Sequence, residues 1–229
     1  MHRTTPIELP RGLILAASIW LVVSWIASMG LRTPLQPSSA SYTPGVRMML
    51  VCMIIGLTIG WPLLRLSQSV PRFPLRQVLL DLFVLLALVQ IVLWPLRLVT
   101  TWSPARTLAI DATIAGWAAL AGAFVAAGVT SSKPGPRALA MLSCLALVLL
   151  GPALAWVGLT VGTDWMPLIE LSPLMAVGTL TQTNAPPPAQ QWVHIYTLVA
   201  AAGLTWIGLG AWAILRPRTT GIQAVETVR

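Results

Sequence analysis

A chain of 229 residues with 56% hydrophobic and only 9% charged side chains is not composed like a soluble domain, in which about a quarter of residues are charged. Its 14 Lys and Arg outnumber its 6 Asp and Glu for a net charge of +8. These cations are scattered in ones, twos and threes between apolar runs, without the basic patch that nucleic acid requires, so nucleic acid is not expected as a partner. A mean hydropathy of +0.81 and apolar runs of about twenty residues, the length that crosses a ~30 Å hydrocarbon core, place the chain in the lipid bilayer.

The chain opens with "MHRTTPIELPRGLILAASIWLVVSWIASMG", a basic start before an apolar core. Cleavage as a signal peptide would leave five spans with the new N-terminus outside. Trp20, Trp25 and the lack of a clear A-x-A site point instead to a retained first span at 12–30. Further spans are expected at 48–66, 77–98, 108–130, 138–162 and 194–215, separated by Pro- and Ser-rich connectors such as "RTPLQPSSASYTPG" and "SSKPGPR". Every backbone amide in lipid needs an internal partner, so runs of this length are helices. The expected fold is an all-α integral membrane protein, a bundle of about six transmembrane helices forming a single polytopic domain over residues 1–229, with a long outer loop at 163–193.

Arginine and lysine placement sets the expected orientation. With the N-terminus inside, the inner segments hold Arg3, Arg11, Arg65, Arg72, Arg76, Lys133, Arg137, Arg216, Arg218 and Arg229, and the outer ones hold Arg32, Arg47, Arg97 and Arg106. That bias puts both termini in the cytoplasm of a multi-pass cell-membrane protein, in the manner of a bacterial inner membrane. "WPLLRL" at 61–66 and "WPLRL" at 94–98 then end spans at opposite faces. They read as the same interface chemistry written twice, with Trp in the headgroup zone and Arg snorkelling outward. The cysteines, Cys52 and Cys144, lie far apart in separate apolar runs and read as small buried hydrophobes.

Polar residues inside the spans are the functional candidates. Gln90, Trp94, Arg97 and Thr101 fall on one face of span 3, which must look at protein or water because an unpaired amide in lipid is costly. The face is a candidate polar pathway, or else one interhelical hydrogen bond with an interface anchor. Asp111, a short loop away, is a candidate ion-pair partner of Arg97 or Arg106, and also an aspartate suited to a helix N-terminus. Asp81 lies near Arg72 and Arg76 at the other interface. Span 4, rich in Ala and Gly, suits close helix packing at a bundle centre or a protomer interface. Gly151 and Pro152 are a candidate hinge in span 5.

The 163–193 loop holds Asp164 and Glu170 and carries no Lys or Arg. Its apolar middle, "PLIELSPLMAVGTL", is too short to cross and reads as an interfacial or re-entrant helix. Asp164, Glu170, Ser172 and Pro173 are candidates for a lid over the outer mouth, the alternative being a segment lying on the surface. Neither a catalytic constellation nor a metal or cofactor site is expected, since His2 and His194 stand alone and no glycine-rich phosphate loop with lysine occurs.

Six spans with both termini inside, a long apolar outer loop before the last span, "LSPLMAV" in that loop, and a last helix ending in "RPR" together resemble the permease subunits of ABC exporters of the second type. The resemblance implies transport powered by a separate ATP-binding subunit, with a homo- or heterodimer of membrane subunits forming the path between them. A reading from a different class is a non-catalytic multi-span membrane scaffold or assembly protein. A continuous polar face between spans would favour transport, and polar groups paired locally within a solidly packed bundle would favour the scaffold.

Overall fold

The computed structural model describes residues 10–30, 38–69, 73–131, 133–162 and 171–215. Among them are seven helices and no strand: α1 Arg11–Met29, α2 Ser39–Ser67, α3 Pro74–Thr100, α4 Pro104–Val129, α5 Pro134–Val161, the short α6 Pro173–Leu180, and α7 Ala189–Leu215. All but α6 are long and apolar enough to cross a bilayer. The protein is a multi-span membrane protein with six such helices.

Local chemistry sets the helix ends. Pro74, Pro104, Pro134 and Pro173 each stand at the first helical position, where the absent N–H costs nothing. The second span starts well before the expected residue 48, because Ser38 and Ser41 form a reciprocal capping box (Ser41 N donates to Ser38 Oγ at 3.2 Å, Ser38 N to Ser41 Oγ at 3.0 Å). Within α2, the stretch Gly56–Gly60 forms one wide π turn, with Trp61 N–H donating to Gly56 O. Pro62 follows directly and has no N–H for the Thr58 carbonyl, so the ladder is broken at this point by sequence.

The helix α4 is the hub. It packs on α2, α3, α5, α6 and α7, and Ile110, Ile114, Ala118, Ala121, Val125 and Ala126 on it are fully buried. Its glycines allow the close approaches. A Cβ on Gly128 would lie 2.7 Å from the Ala140 Cβ, and one on Gly122 would lie 3.2 Å from the Trp61 ring. Trp61, expected at a headgroup interface, therefore belongs to the core, where it is 2% exposed. The Ala/Gly composition of this span is thus a packing device, as small residues permit in lipid.

By contrast, α1 and α7 are peripheral. The helix α7 contributes a single stripe, Trp192, Ile195, Leu198, Ala202, Trp206 and Leu209, to the packing, and Trp206 Nε1 donates to Ala119 O at 2.9 Å. The helix α1 lies against α2 and α3, with Trp20 Nε1 donating to Cys52 O at 3.0 Å.

Candidate functional site

The polar chemistry gathers in three places. At one end of the bundle, α6 enters between α2, α4 and α5. Ser172 is fully buried, and its hydroxyl donates to Val148 O at 2.9 Å. Val148 is the residue whose carbonyl would ordinarily accept from the amide of residue 152, and Pro152 has no amide hydrogen to give. The proline of the candidate hinge thus leaves an acceptor open, and the serine of the candidate lid fills it. Gly151 and Pro152 lie inside α5, which continues helically to Val161. Val148 lies 13 residues (161 − 148) before the end of α5, about 20 Å of helix, so α6 begins deep in the bundle and climbs back to its end.

Two arginines hold the top of that climb. Arg106, 2% exposed, donates from Nε to Ala185 O (2.7 Å), from Nη1 to Leu180 O (3.2 Å) and Gln191 Oε1 (3.0 Å), and from Nη2 to Thr183 Oγ1 (2.8 Å). Arg47 donates from Nε to Thr181 O at 2.9 Å and from Nη2 to Gln182 O at 3.3 Å. Asn184 completes the clamp, donating from Nδ2 to Thr101 Oγ1 at 3.2 Å. A rigid fork of five donors suits a ring of carbonyls that a single ammonium could not span. Of the residues named for a lid, Ser172 and Pro173 are buried in this assembly, while Asp164 and Glu170 lie outside the described residues.

The second place is the α3–α4 contact. Gln90 Nε2 donates to Asp111 Oδ1, and Trp94 Nε1 donates to Gln90 Oε1 at 2.7 Å. The structure therefore brings Gln90 and Asp111 together and leaves the Arg97 side chain out: among the described residues Asp111 is in no ion pair, and the Arg97 guanidinium has neither a hydrogen bond nor an ion pair. The ion pair expected between Asp111 and Arg97 or Arg106 is replaced by an amide–carboxylate bond, because Arg106 turns to the loop carbonyls and Arg97 stands two turns along α3 from Gln90.

At the opposite end of the bundle, Asp81 is 1% exposed and pairs with Arg65 of α2, Nε to Oδ2 at 3.3 Å. Gln77 Nε2 donates to its Oδ1 at 2.9 Å. Its charged neighbour is therefore supplied by the adjacent span, and not by Arg76; Arg72 lies outside the described residues. Arg137 ties the same end together, donating from Nη1 to Leu66 O at 3.3 Å and to Gln68 O at 3.0 Å.

Two cavities of about 330 Å³ each open beside the core. One is an almost wholly apolar groove between α1, α2 and α3. The other lies between α4, α6 and α7, where Thr113, Trp117, Thr179, Gln191 and His194 supply the polar part of its lining. Sequence reasoning missed Arg47 and Arg106 as functional anchors. It also missed this second cavity, whose walls come from segments some eighty residues apart. Compared with known proteins, the chain matches no family model, no curated protein and no solved structure.

Proposed function

We propose that the protein is a non-catalytic subunit of a membrane assembly, a multi-span scaffold that holds other chains in the bilayer of a cell membrane, with both termini on the cytoplasmic side. The observation that carries this reading is that Gln90, Asp111, Asp81 and Arg106 find their partners locally around a close-packed hub, in which the indole N–H groups of Trp61, Trp102 and Trp117 are buried without an acceptor among the described residues. Gln90 bonds both Asp111 and Trp94, Asp81 pairs with Arg65, and Arg106 makes four hydrogen bonds to Leu180, Thr183, Ala185 and Gln191. The face of α4 that a pathway through the chain would need is filled by Ile110, Ile114 and Ala118. A bundle packed in this way along its central helix suits a role in which the chain works by what it binds.

A second reading, the permease-like subunit of an exporter driven by a separate ATPase, draws support from the re-entrant α6 and the cavity of about 330 Å³ beside it, since ligand sites favour such clefts lined by a few polar groups. In that case the path would run between two membrane subunits. Affinity purification of the tagged chain in mild detergent, followed by mass spectrometry, separates the two. Only membrane chains in stoichiometric amounts are expected. A stoichiometric nucleotide-binding subunit would overturn the scaffold and establish the exporter subunit.

A further inference from the structure

The cavity of about 330 Å³ between α4, α6 and α7 is built unevenly along its length. At the end held by Arg106 its walls include Thr179 and Gln191; deeper, Trp117, Leu120, Leu198 and Ala201 make them apolar. Gln191 is half-buried, and Arg106 Nη1 donates to its Oε1 at 3.0 Å. A guanidinium only donates, so that bond fixes the amide with its oxygen toward Arg106 and its N–H groups turned away. Among the described residues Gln191 Nε2 donates to nothing. The hydroxyls on the walls have already placed their protons: Thr113 on Ala109 O (2.7 Å), Thr179 on Ala176 O (3.0 Å) and Thr197 on His194 O (2.8 Å). Trp117, 6% exposed, keeps an indole N–H without an acceptor among the described residues. The cavity therefore lacks an acceptor, and its described lining, without Lys, Arg, Asp or Glu, suits a neutral one.

We propose that this cavity takes one acyl chain of a bilayer phospholipid, whose ester carbonyl accepts from Gln191 Nε2 and whose tail lies along Trp117 and Leu198. Leu171 is 56% exposed, and Thr197 and Ala201 are exposed, so the cavity opens on the outside of the bundle, where acyl chains are. From Gln191 to Ala201 it follows about 15 Å of α7, and about 330 Å³ spread over that length leaves a cross-section of roughly 20 Å². That admits a hydrocarbon chain and excludes a helix, which is ~10 Å across. Apolar walls with a few placed polar groups are the common make-up of a ligand pocket. Here they follow the order of a lipid ester, with the carbonyl at the Arg106 end and the tail deeper in the bundle. The inference goes beyond the scaffold reading and does not depend on which chains the protein holds.

The test reconstitutes the full-length chain in vesicles of equal parts dioleoylphosphatidylglycerol and its ether-linked analogue, which has the same headgroup and tails and no carbonyl. The chain is then washed into mild detergent, and native mass spectrometry counts the lipid it retains. Retention of one lipid per wild-type chain is expected, with the ester favoured about fivefold, the ratio that one neutral hydrogen bond supplies. Gln191→Glu keeps an oxygen for Arg106 and replaces the donor by a carboxylate oxygen, so it is expected to abolish the preference. Ala201→Phe fills the deep end from an exposed wall and is expected to abolish retention of both lipids. Should that chain fail to accumulate, Thr197→Phe narrows the same slot from another exposed position, and the ester–ether comparison needs no variant at all. A wild-type chain that retains no lipid, or retention that a filling variant leaves untouched, would overturn the site. Equal retention of the two lipids by the wild type, or a preference that survives Gln191→Glu, would overturn the carbonyl contact and with it the proposal.

Discussion

At the scale of single residues, the structure turns on carbonyls that helices cannot satisfy by themselves. Pro152 opens the Val148 carbonyl, and Ser172 closes it from another segment. If the hydroxyl serves this purpose, Ser172→Ala costs about 1 kcal/mol in the native background and much less beside Pro152→Ala, where residue 152 regains an N–H. Unfolding of the two single variants and the double variant in detergent measures that coupling, and strict additivity would remove the connection. Arg106 is the larger case. Arg106→Lys retains the charge and loses the fork, leaving Leu180 O, Ala185 O or Thr183 Oγ1 without its donor. A loss of about 3 kcal/mol is expected, with Arg47→Lys costing less because Arg47 is only half-buried and holds two carbonyls. The midpoint of thermal unfolding ranks them. Neither arginine was legible as an anchor in the sequence. Outer-loop cations read as topology signals, and the acceptors lie 74 residues or more away.

At the scale of elements, the spans were legible because run length is a property of the membrane, and the structure has the six expected. Their ends were less so: the Ser38–Ser41 box extends α2 through a stretch whose prolines and serines read as connector. The glycines separate contact from mere composition. On α2, a Cβ at Gly45 would lie 2.8 Å from the Ser28 carbonyl oxygen of α1, a backbone atom that can move only with its helix. Gly45→Ala is therefore expected to displace α1 and to abolish a disulfide engineered between α1 and α2, whereas Gly203→Ala, with nothing within 4 Å, changes stability by less than about 0.5 kcal/mol. The short α6 was visible as an apolar run too short to cross. Its depth was not, because depth is set by a serine finding the one carbonyl that a proline on another helix had freed.

For the whole molecule, six crossings with cytoplasmic termini, as we propose, would put both ends of the chain on the same side of the bilayer. Single cysteines added at the two ends, in a chain without Cys52 and Cys144, are expected to resist a membrane-impermeant thiol reagent in intact cells and to react together once the membrane is opened. Labelling of one end alone would mean an odd number of crossings. The candidate site was legible in part. Gln90 and Trp94 are one turn apart and announced a polar face, whereas Asp111 read as an ion-pair partner of Arg97 or Arg106, and its bond to Gln90 was not legible in the sequence. That Asp81 takes Arg65 as its partner could not be read, since an ion pair between neighbouring spans depends on how the two helices are turned toward each other.

The arginine clamp also orders the life of the chain in time. Arg106 leaves the ribosome long before Leu180, Ala185 and Gln191, so its burial must wait until α6 and the start of α7 have been made. Until then a helix that will be the hub carries a cation with no acceptors at its edge. A nascent chain halted before residue 180 thus lacks every acceptor that Arg106 has in the folded bundle.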